Sequence, residues 1–295
     1  MRDRQVSIPP EYLQGAVHRA LQEDAGRGDV TTEAIVPANA QGAAVIIAKA
    51  AGIICGLSPC EACFRTLDPD LVFTVKTEDG RAVEPGAIVA DIEGRLRPIL
   101  TAERAALNFL QRLSGIATLT ARFVERVQGT KAVILDTRKT TPGLRLFEKY
   151  AVRCGGGHNH RFGLDDGILI KDNHTDAAGG VGEAVRRMRA AQGKRPLPIE
   201  VEVEALDQIE VALAAGAAML LLDNFSVDDL RRAVDLVEGR AELEASGGVT
   251  LESVRAVAET GVDYISVGRL THSAPALDLS LEVTRVTSPD SAPAA

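Results

Sequence analysis

Asp136-Thr137-Arg138-Lys139 sets two adjacent full positive charges directly after a short aliphatic run, Val133 to Leu135. Such a run reads as a buried β-strand, and two cations are costly to hold inside a packed core. They are expected to point into a site that receives an anion. The arrangement recurs along the chain. Ile168 to Ile170 leads into Lys171-Asp172-Asn173-His174, and Glu200, Glu202 and Glu204 alternate along one run and so share a face. Further apolar runs end at Asp223-Asn224, at Ser246-Gly247-Gly248 and at Val267-Gly268-Arg269. The signs separate, with cations early, acids in the middle and glycines last.

Each group suits a different ligand. The Arg, Lys and His residues suit carboxylates, to which arginine offers a bidentate fork. The acids suit ribose hydroxyls or the water shell of Mg2+, an ion usually held by one or two carboxylates plus substrate phosphates. Glycine turns let bare backbone N–H groups approach phosphate oxygens, helped by the start of the following helix, for which Thr250 is the expected cap. The layout asks for a ligand with a phosphate, a diol and another highly charged group, beside a ligand bearing carboxylates. His158-Asn159-His160 has a spacing that can bind zinc. It follows three glycines and precedes Arg161, so it reads as a loop beside cations, where a metal ion is disfavoured.

These residues need elements to position them. Positions 132–135, 167–170, 199–204, 219–222, 241–245 and 264–267 read as strands, with helical patterns over 179–191, 205–215, 227–238 and 250–259. The alternation predicts a parallel sheet with right-handed crossovers. In α/β barrels the working groups sit at the C-terminal ends of the strands, but a full barrel typically takes about 250 residues. The region is shorter, so an incomplete barrel is expected. A doubly wound sheet is the alternative, weakened because no Gly-x-Gly-x-x-Gly follows a first strand.

Upstream, 11–24 reads as a helix and 42–54 and 71–93 as strands, with a Pro85-Gly86 turn. That turn resembles the hairpin of biotinyl and lipoyl carriers, but no lysine tip is present, which favours a structural role. Ser58-Pro59-Cys60-Glu61 reads as a capping box opening a helix. Cys60 and Cys63 then lie on one helix face as small, semi-apolar residues, since no second Cys pair or nearby histidine completes a zinc set. A long helical pattern over 101–128 is interrupted by Ser114-Gly115, read as a bend.

The net charge of −8 argues against a general nucleic-acid or membrane-surface binder. Between Asp136 and Lys171, however, Lys and Arg outnumber Asp and Glu, which suggests focusing of a small anion. No apolar signal segment follows Met1-Arg2-Asp3-Arg4-Gln5. The most apolar stretch, 43–57, contains Lys49 and is too short to span a bilayer. A cytoplasmic location is expected.

The motifs together resemble the quinolinate phosphoribosyltransferase family, also called nicotinate-nucleotide pyrophosphorylase (carboxylating). The resemblance rests on Glu103-Arg104-Ala105-Ala106-Leu107-Asn108, Ser114 to Thr118, Asp136 to Gly143, Gly155 to Arg161, Ile170 to His174, Val201 to Glu204, Leu222 to Phe225, Ser246 to Gly248 and Leu270 to Ser273. It covers almost the whole chain in the expected order. It implies transfer of phosphoribose from phosphoribosyl pyrophosphate to quinolinate with loss of CO2, Mg2+ as cofactor, and a homodimer. It further implies an α/β fold: an N-terminal α/β sandwich domain over 1–113, joined by 276–295, plus an incomplete (β/α) barrel over 114–275. By the same resemblance Arg138, His160, Arg161 and Lys171 match the dicarboxylate pocket, joined by Arg104 from the partner, with Thr137 beside them. Lys139 and Lys171 match groups near the pyrophosphate, and Glu202 and Asp223 match the acids facing ribose and Mg2+. Ser246, Gly247, Gly248, Val267 and Gly268 match the 5′-phosphate loops, with His272 as a neighbour. Lys139, Lys171, Glu202 and Asp223 are the expected catalytic residues. Two readings stand beside this one: a paralogous phosphoribosyltransferase of the molybdenum-transport-associated type, and a zinc-dependent barrel hydrolase.

Overall fold

The structure, a computed structural model, describes residues 6–193 and 196–287. The opening pentapeptide and residues 288–295 of the expected C-terminal segment lie outside the described residues. In chain order the first elements are α1 (Pro10–Ala25), α2 (Val30–Ile35), β1 (Gln41–Ala48), β2 (Gly52–Ile53), α3 (Leu57–Leu67), β3 (Val72–Val75), β4 (Ala82–Val83), β5 (Ile88–Arg95) and α4 (Leu96–Arg126). There follow β6 (Val133–Leu135), α5 (Arg145–Cys154), β7 (Ile168–Ile170), α6 (Asp172–Ala178), α7 (Val181–Ala191), β8 (Ile199–Val203), α8 (Asp207–Ala215) and β9 (Met219–Asp223). The last are α9 (Val227–Val237), β10 (Glu242–Ser246), α10 (Val254–Ala258), β11 (Tyr264–Ser266), α11 (Arg269–His272) and β12 (Leu279–Thr287).

Two compact units result. One contains 6–119, 141–156 and 274–287; the other contains Thr120–Thr140 and Gly157–Ser273. The division falls a few residues beyond the expected 113/114, and 141–156, expected in the barrel, lies with the N-terminal unit. One tie within that unit is Arg112, whose guanidinium donates to the fully buried carboxylate of Glu148 on α5 at 2.8 Å.

The N-terminal unit is an antiparallel sheet in the order β12-β1-β5-β3 with helices packed on it. Alternation along β1 buries Ala44, Ile46 and Ala48. Opposite them α4 turns Ile99, Ala102, Ala106 and Leu110 inward at helical spacing, and Val17, Cys60, Cys63 and Phe64 complete the core. The Cys60–Cys63 reading holds, since both thiols are fully buried and burial pushes them up, Cys63 to about 12. The capping box does not. Helix α3 begins at Leu57, before Ser58, and Asp79 Oδ1 accepts from the Gly56 and Leu57 N–H groups. Nor does Ser114-Gly115 interrupt α4, which runs unbroken through it. A β-carbon at Gly115 would lie 2.0 Å from the Pro275 carbonyl oxygen, so glycine is there to let two backbones approach.

The second unit is a parallel sheet in the order β6-β11-β10-β9-β8-β7. The first strand pairs with the last, and sequential strands are otherwise neighbours, so only the β6–β7 seam is open. Beside it His158 bridges Leu135 in parallel. This is the expected incomplete barrel. Register puts Val201, Val203, Leu220, Leu222, Leu243, Ala245 and Ile265 on one face, all nearly or fully buried. The alternate positions Glu200, Glu202, Asp223, Glu244 and Ser246 share the other face. One face is thus apolar enough for helix packing, and the other is left for chemistry.

Candidate functional site

The site is built where these strands end. Asp136, fully buried at the end of β6, accepts from the His160 backbone N–H at 2.9 Å and from the Asn159 side-chain amide at 2.5 Å. His158 N–H donates to the Ile134 carbonyl at 2.8 Å. The histidine segment is therefore pinned along the open edge of β6 and is less of a free loop than its glycines suggested. Arg161 follows, half-buried, with Nη1 donating to the Gly167 carbonyl at 3.1 Å. Burial, and next the charge of Arg138, hold the Arg161 guanidinium below the usual arginine range, while Glu200 and Asp166 oppose the shift. Two guanidiniums stand near enough to repel, an arrangement an incoming dianion would relieve.

Across the seam Lys171 is exposed at the end of β7, its Nζ 3.9 Å from Glu202 Oε2. Burial raises the Glu202 carboxyl above its ordinary value, Lys171 works against this, and the charge of Asp223 adds to it. Two carboxylates and one ammonium therefore meet at the ends of β7, β8 and β9. Glu204, exposed just past the end of β8 at Val203, adds the smallest of the charges that raise the Glu202 carboxyl.

The glycine turns follow. Asn224, at a left-handed φ of 57°, donates its backbone N–H to the Ser246 carbonyl at 2.9 Å. Gly247 and Gly248 are also left-handed, and a β-carbon at Gly247 would lie 2.2 Å from Asn224 Oδ1. Thr250 Oγ1 accepts from the Ser253 N–H at 3.3 Å in the turn leading to α10, whose own N-cap is Ser253. The helices after both glycine turns are short, α10 over five residues and α11 over four. A phosphate there would rely on bare backbone more than on a helix dipole. Val267 is buried beside Gly268, and a β-carbon at Gly268 would lie 3.1 Å from Lys139 Cδ and 3.3 Å from His272 Nε2. Thr271 donates its hydroxyl to the Lys139 carbonyl, and Thr137 Oγ1 accepts from the Lys139 N–H. Lys139, Thr137, Gly268 and His272 form one neighbourhood. Arg104 is exposed on α4, in the other unit.

A cavity of about 540 Å³ enters the barrel from the opposite end, where Ile168, Met219, Glu242 and Tyr264 open or flank their strands. Of the expected residues, it is lined by His160 and Arg161. Two buried acids lie outside the expected set: Glu200, named on the strand face but passed over for Glu202, and Glu244, not singled out. Glu200, 4% exposed, and Glu244, 1% exposed, face His160 Nε2 at 3.1 and 3.6 Å. Glu244 shares the parity of Ser246 along one strand, which was the available signal.

Comparison with known proteins agrees with this arrangement. A family model described as the N-terminal domain of quinolinate phosphoribosyl transferase matches residues 29–114, and its C-terminal counterpart matches 116–282. The chain is 46% identical over 272 residues to a probable nicotinate-nucleotide pyrophosphorylase (carboxylating) of Bacillus subtilis, covering 92% of this chain and 93% of that one. It is 43% identical over 293 residues to quinolinate phosphoribosyltransferase (decarboxylating) 1b of Nicotiana tabacum, covering 93% and 83%. The solved nicotinate-nucleotide pyrophosphorylase of Francisella tularensis superposes with a TM-score of 0.92 at 41% identity, over 96% of this chain and 100% of that one.

Proposed function

The chain belongs to the quinolinate phosphoribosyltransferase family, and on that premise we propose how its residues divide the reaction. The enzyme transfers phosphoribose from phosphoribosyl pyrophosphate to quinolinate, giving nicotinate mononucleotide, pyrophosphate and CO2 in NAD biosynthesis. The observation that carries the division of roles is the separation of charge around the open seam and the strand ends of one parallel sheet. Arg138 lies beside Arg161, Lys171 beside Glu202 and Asp223, and glycine turns follow.

Arg138, Arg161 and Lys171 bind the two carboxylates of quinolinate, with His160 at the inner wall and Thr137 at the rim. Ser246, Gly247, Gly248, Val267 and Gly268 hold the 5′-phosphate, with His272 next to them. The pyridine nitrogen displaces pyrophosphate at the anomeric carbon through a transition state in which positive charge builds on the ribose. Glu202 and Asp223 steady that charge, and Lys139 and Lys171 steady the charge growing on the leaving group. The carboxylate pair Glu202 and Asp223 also suits Mg2+ carried by the pyrophosphate, where the ion would neutralise the leaving oxygens. Once the ring nitrogen is quaternary, the adjacent carboxylate leaves as CO2, because the electron pair left behind is beside a positive nitrogen and then takes a proton.

Arg104 completes the site from a second copy in a homodimer. Its exposure on α4 leaves it available to do so. Among the described residues no helix is long and apolar enough to cross a membrane. Four free cysteines suit a reducing, cytoplasmic compartment.

Glu202 provides the test. It must be ionised to oppose the ribose cation, and its carboxyl is raised in the free enzyme, so the acid limb of kcat/KM should lie above the ordinary glutamate range. Glu202→Gln should remove that limb and lower kcat roughly 100-fold or more, in keeping with the loss of one electrostatic stabiliser. A raised folded-state value favours the protonated fold, so the stability linked to this group is lost as pH rises through it. The variant should therefore melt at or above the wild-type temperature at pH 8. An unchanged pH–rate profile would remove Glu202 from this role.

A further inference from the structure

Asp136 is a fully buried carboxylate two residues before Arg138, and the reaction steps give it no part. Burying a carboxylate is costly unless its oxygens are hydrogen-bonded. Both of its oxygens accept. Oδ1 takes the His160 backbone N–H at 2.9 Å, and Oδ2 takes the side-chain amide of Asn159. These donors are themselves buried, Asn159 at 6% and His160 at 9% exposure. An ionised carboxylate only accepts, so the Asn159 NH2 must be the group that faces it.

The place of these bonds in the fold gives them a purpose. Along the open edge of β6 the strand pairing with this segment is one bridge, Leu135 with His158. Around it the His158 N–H donates to the Ile134 carbonyl at 2.8 Å, and the Asp136 N–H donates to the His158 carbonyl at 3.1 Å. Past His158 the Asp136 side chain takes over as acceptor, so the His160 N–H ends on a carboxylate and not on a strand carbonyl. Asp136 therefore grips three successive residues: 158 through its backbone, 159 and 160 through its side chain. Arg161 is the next residue in the chain. Its guanidinium is repelled by that of Arg138. Two side chains that repel keep a fixed spacing only if their backbones are held. Asp136 is joined through the chain to one arginine and hydrogen-bonded to the segment that leads into the other, and all of these residues lie in one compact unit.

We propose that Asp136 is a positioning residue for the choice of substrate: through the His160 N–H and the Asn159 amide its carboxylate clamps the 158–161 segment to the end of β6 and so sets the spacing of the Arg138 and Arg161 guanidiniums that receive the two carboxylates. The functional half of this statement rests on the reading of both arginines as quinolinate ligands; the clamp does not.

Kinetics of folded variants, with hydrogen exchange of the His160 backbone N–H read by NMR in the full-length enzyme, test both halves. Asp136→Asn brings an NH2 group against one of the two donors, and Asn159→Asp sets two carboxylates against each other. Each should raise the quinolinate KM roughly 10- to 100-fold, the scale expected when a binding group is displaced by about an ångström, with the phosphoribosyl pyrophosphate KM held within about threefold. The double variant Asp136→Asn/Asn159→Asp keeps an oxygen toward the His160 N–H and only reverses the direction of the other bond. It should return the quinolinate KM to within about fivefold of wild type, far from the product of the two single losses. Asn159→Ala, which spares the His160 bond, should cost less than either single change and serves where a charge-altering variant does not fold. The His160 N–H should exchange slowly in the wild-type and double-variant enzymes and faster in Asp136→Asn. Equal losses for both substrates in folded variants, a double variant as weak as the product of the single losses, or fast exchange of the His160 N–H in the wild-type enzyme would each overturn the proposal. If the wild-type enzyme used nicotinate as readily as quinolinate, the roles of Arg138 and Arg161 would fall and the functional half with them, while slow exchange would still report the clamp.

Discussion

Replacing Arg161 with alanine is expected to raise the quinolinate KM roughly 30- to 1,000-fold, the loss expected when one member of a desolvated charge pair is truncated. The KM for phosphoribosyl pyrophosphate should stay within about twofold. The expectation follows from the state of the free site. The Arg161 guanidinium is half-buried and destabilised first by that burial and then by the charge of Arg138. The negative charge of a dicarboxylate would offset both penalties, whereas a phosphate at the Gly247–Gly248 turn is expected to touch neither. Arg161→Lys should recover little, because an ammonium keeps the charge but loses the planar fork. Arg138→Ala should err in the same direction. Initial rates with each substrate varied in turn, supported by calorimetry, check the split. Equal losses for both substrates would mean that Arg161 supports the barrel and does not select the dicarboxylate.

The second expectation concerns assembly. Arg104→Ala and Lys171→Ala should each be nearly inactive alone. Mixed one to one and allowed to exchange subunits, they should recover about a quarter of wild-type activity. Half of the dimers are then mixed, and each mixed dimer pairs one intact Lys171 with the intact Arg104 of its neighbour. Its other site carries both defects. The physical basis is that Arg104 is exposed on α4, while Lys171 is exposed at the end of β7. Activity after exchange, with mixed dimers verified by native mass spectrometry, gives the answer. No recovery in verified mixed dimers would place the whole site in one chain.

Much of the catalytic unit was legible before the structure. The six parallel strands were expected within about two residues of where they lie, because four are short apolar runs and β8 and β10 alternate apolar with acidic or polar residues. What escaped notice had non-local causes. Helix α5 was not expected, since it is short and its buried positions include Glu148 and Lys149 beside Phe147, Ala151 and Val152. The start of α3 was misplaced because its N–H groups are taken by Asp79, more than twenty residues downstream. At Gly115 the reason for glycine is the Pro275 carbonyl, which no local pattern reveals. In the site, charged residues that face outward from strand ends could be read from the sequence. The buried acids Glu200 and Glu244 could not be assigned, because an acid within a strand pattern looks the same whether its partner is solvent or a histidine ring from another segment.

The chemistry proposed for these strand ends is the joining of a pyridine dicarboxylate to a phosphoribosyl group. Incubation with quinolinate, phosphoribosyl pyrophosphate and Mg2+, followed by mass spectrometry of the product and capture of labelled CO2 from the 2-carboxylate, tests it most directly. Nicotinate mononucleotide and one CO2 per pyrophosphate are expected, with little turnover of nicotinate, which lacks the second carboxylate. Equal or preferred use of nicotinate, or a product that retains both carboxylates, would contradict it.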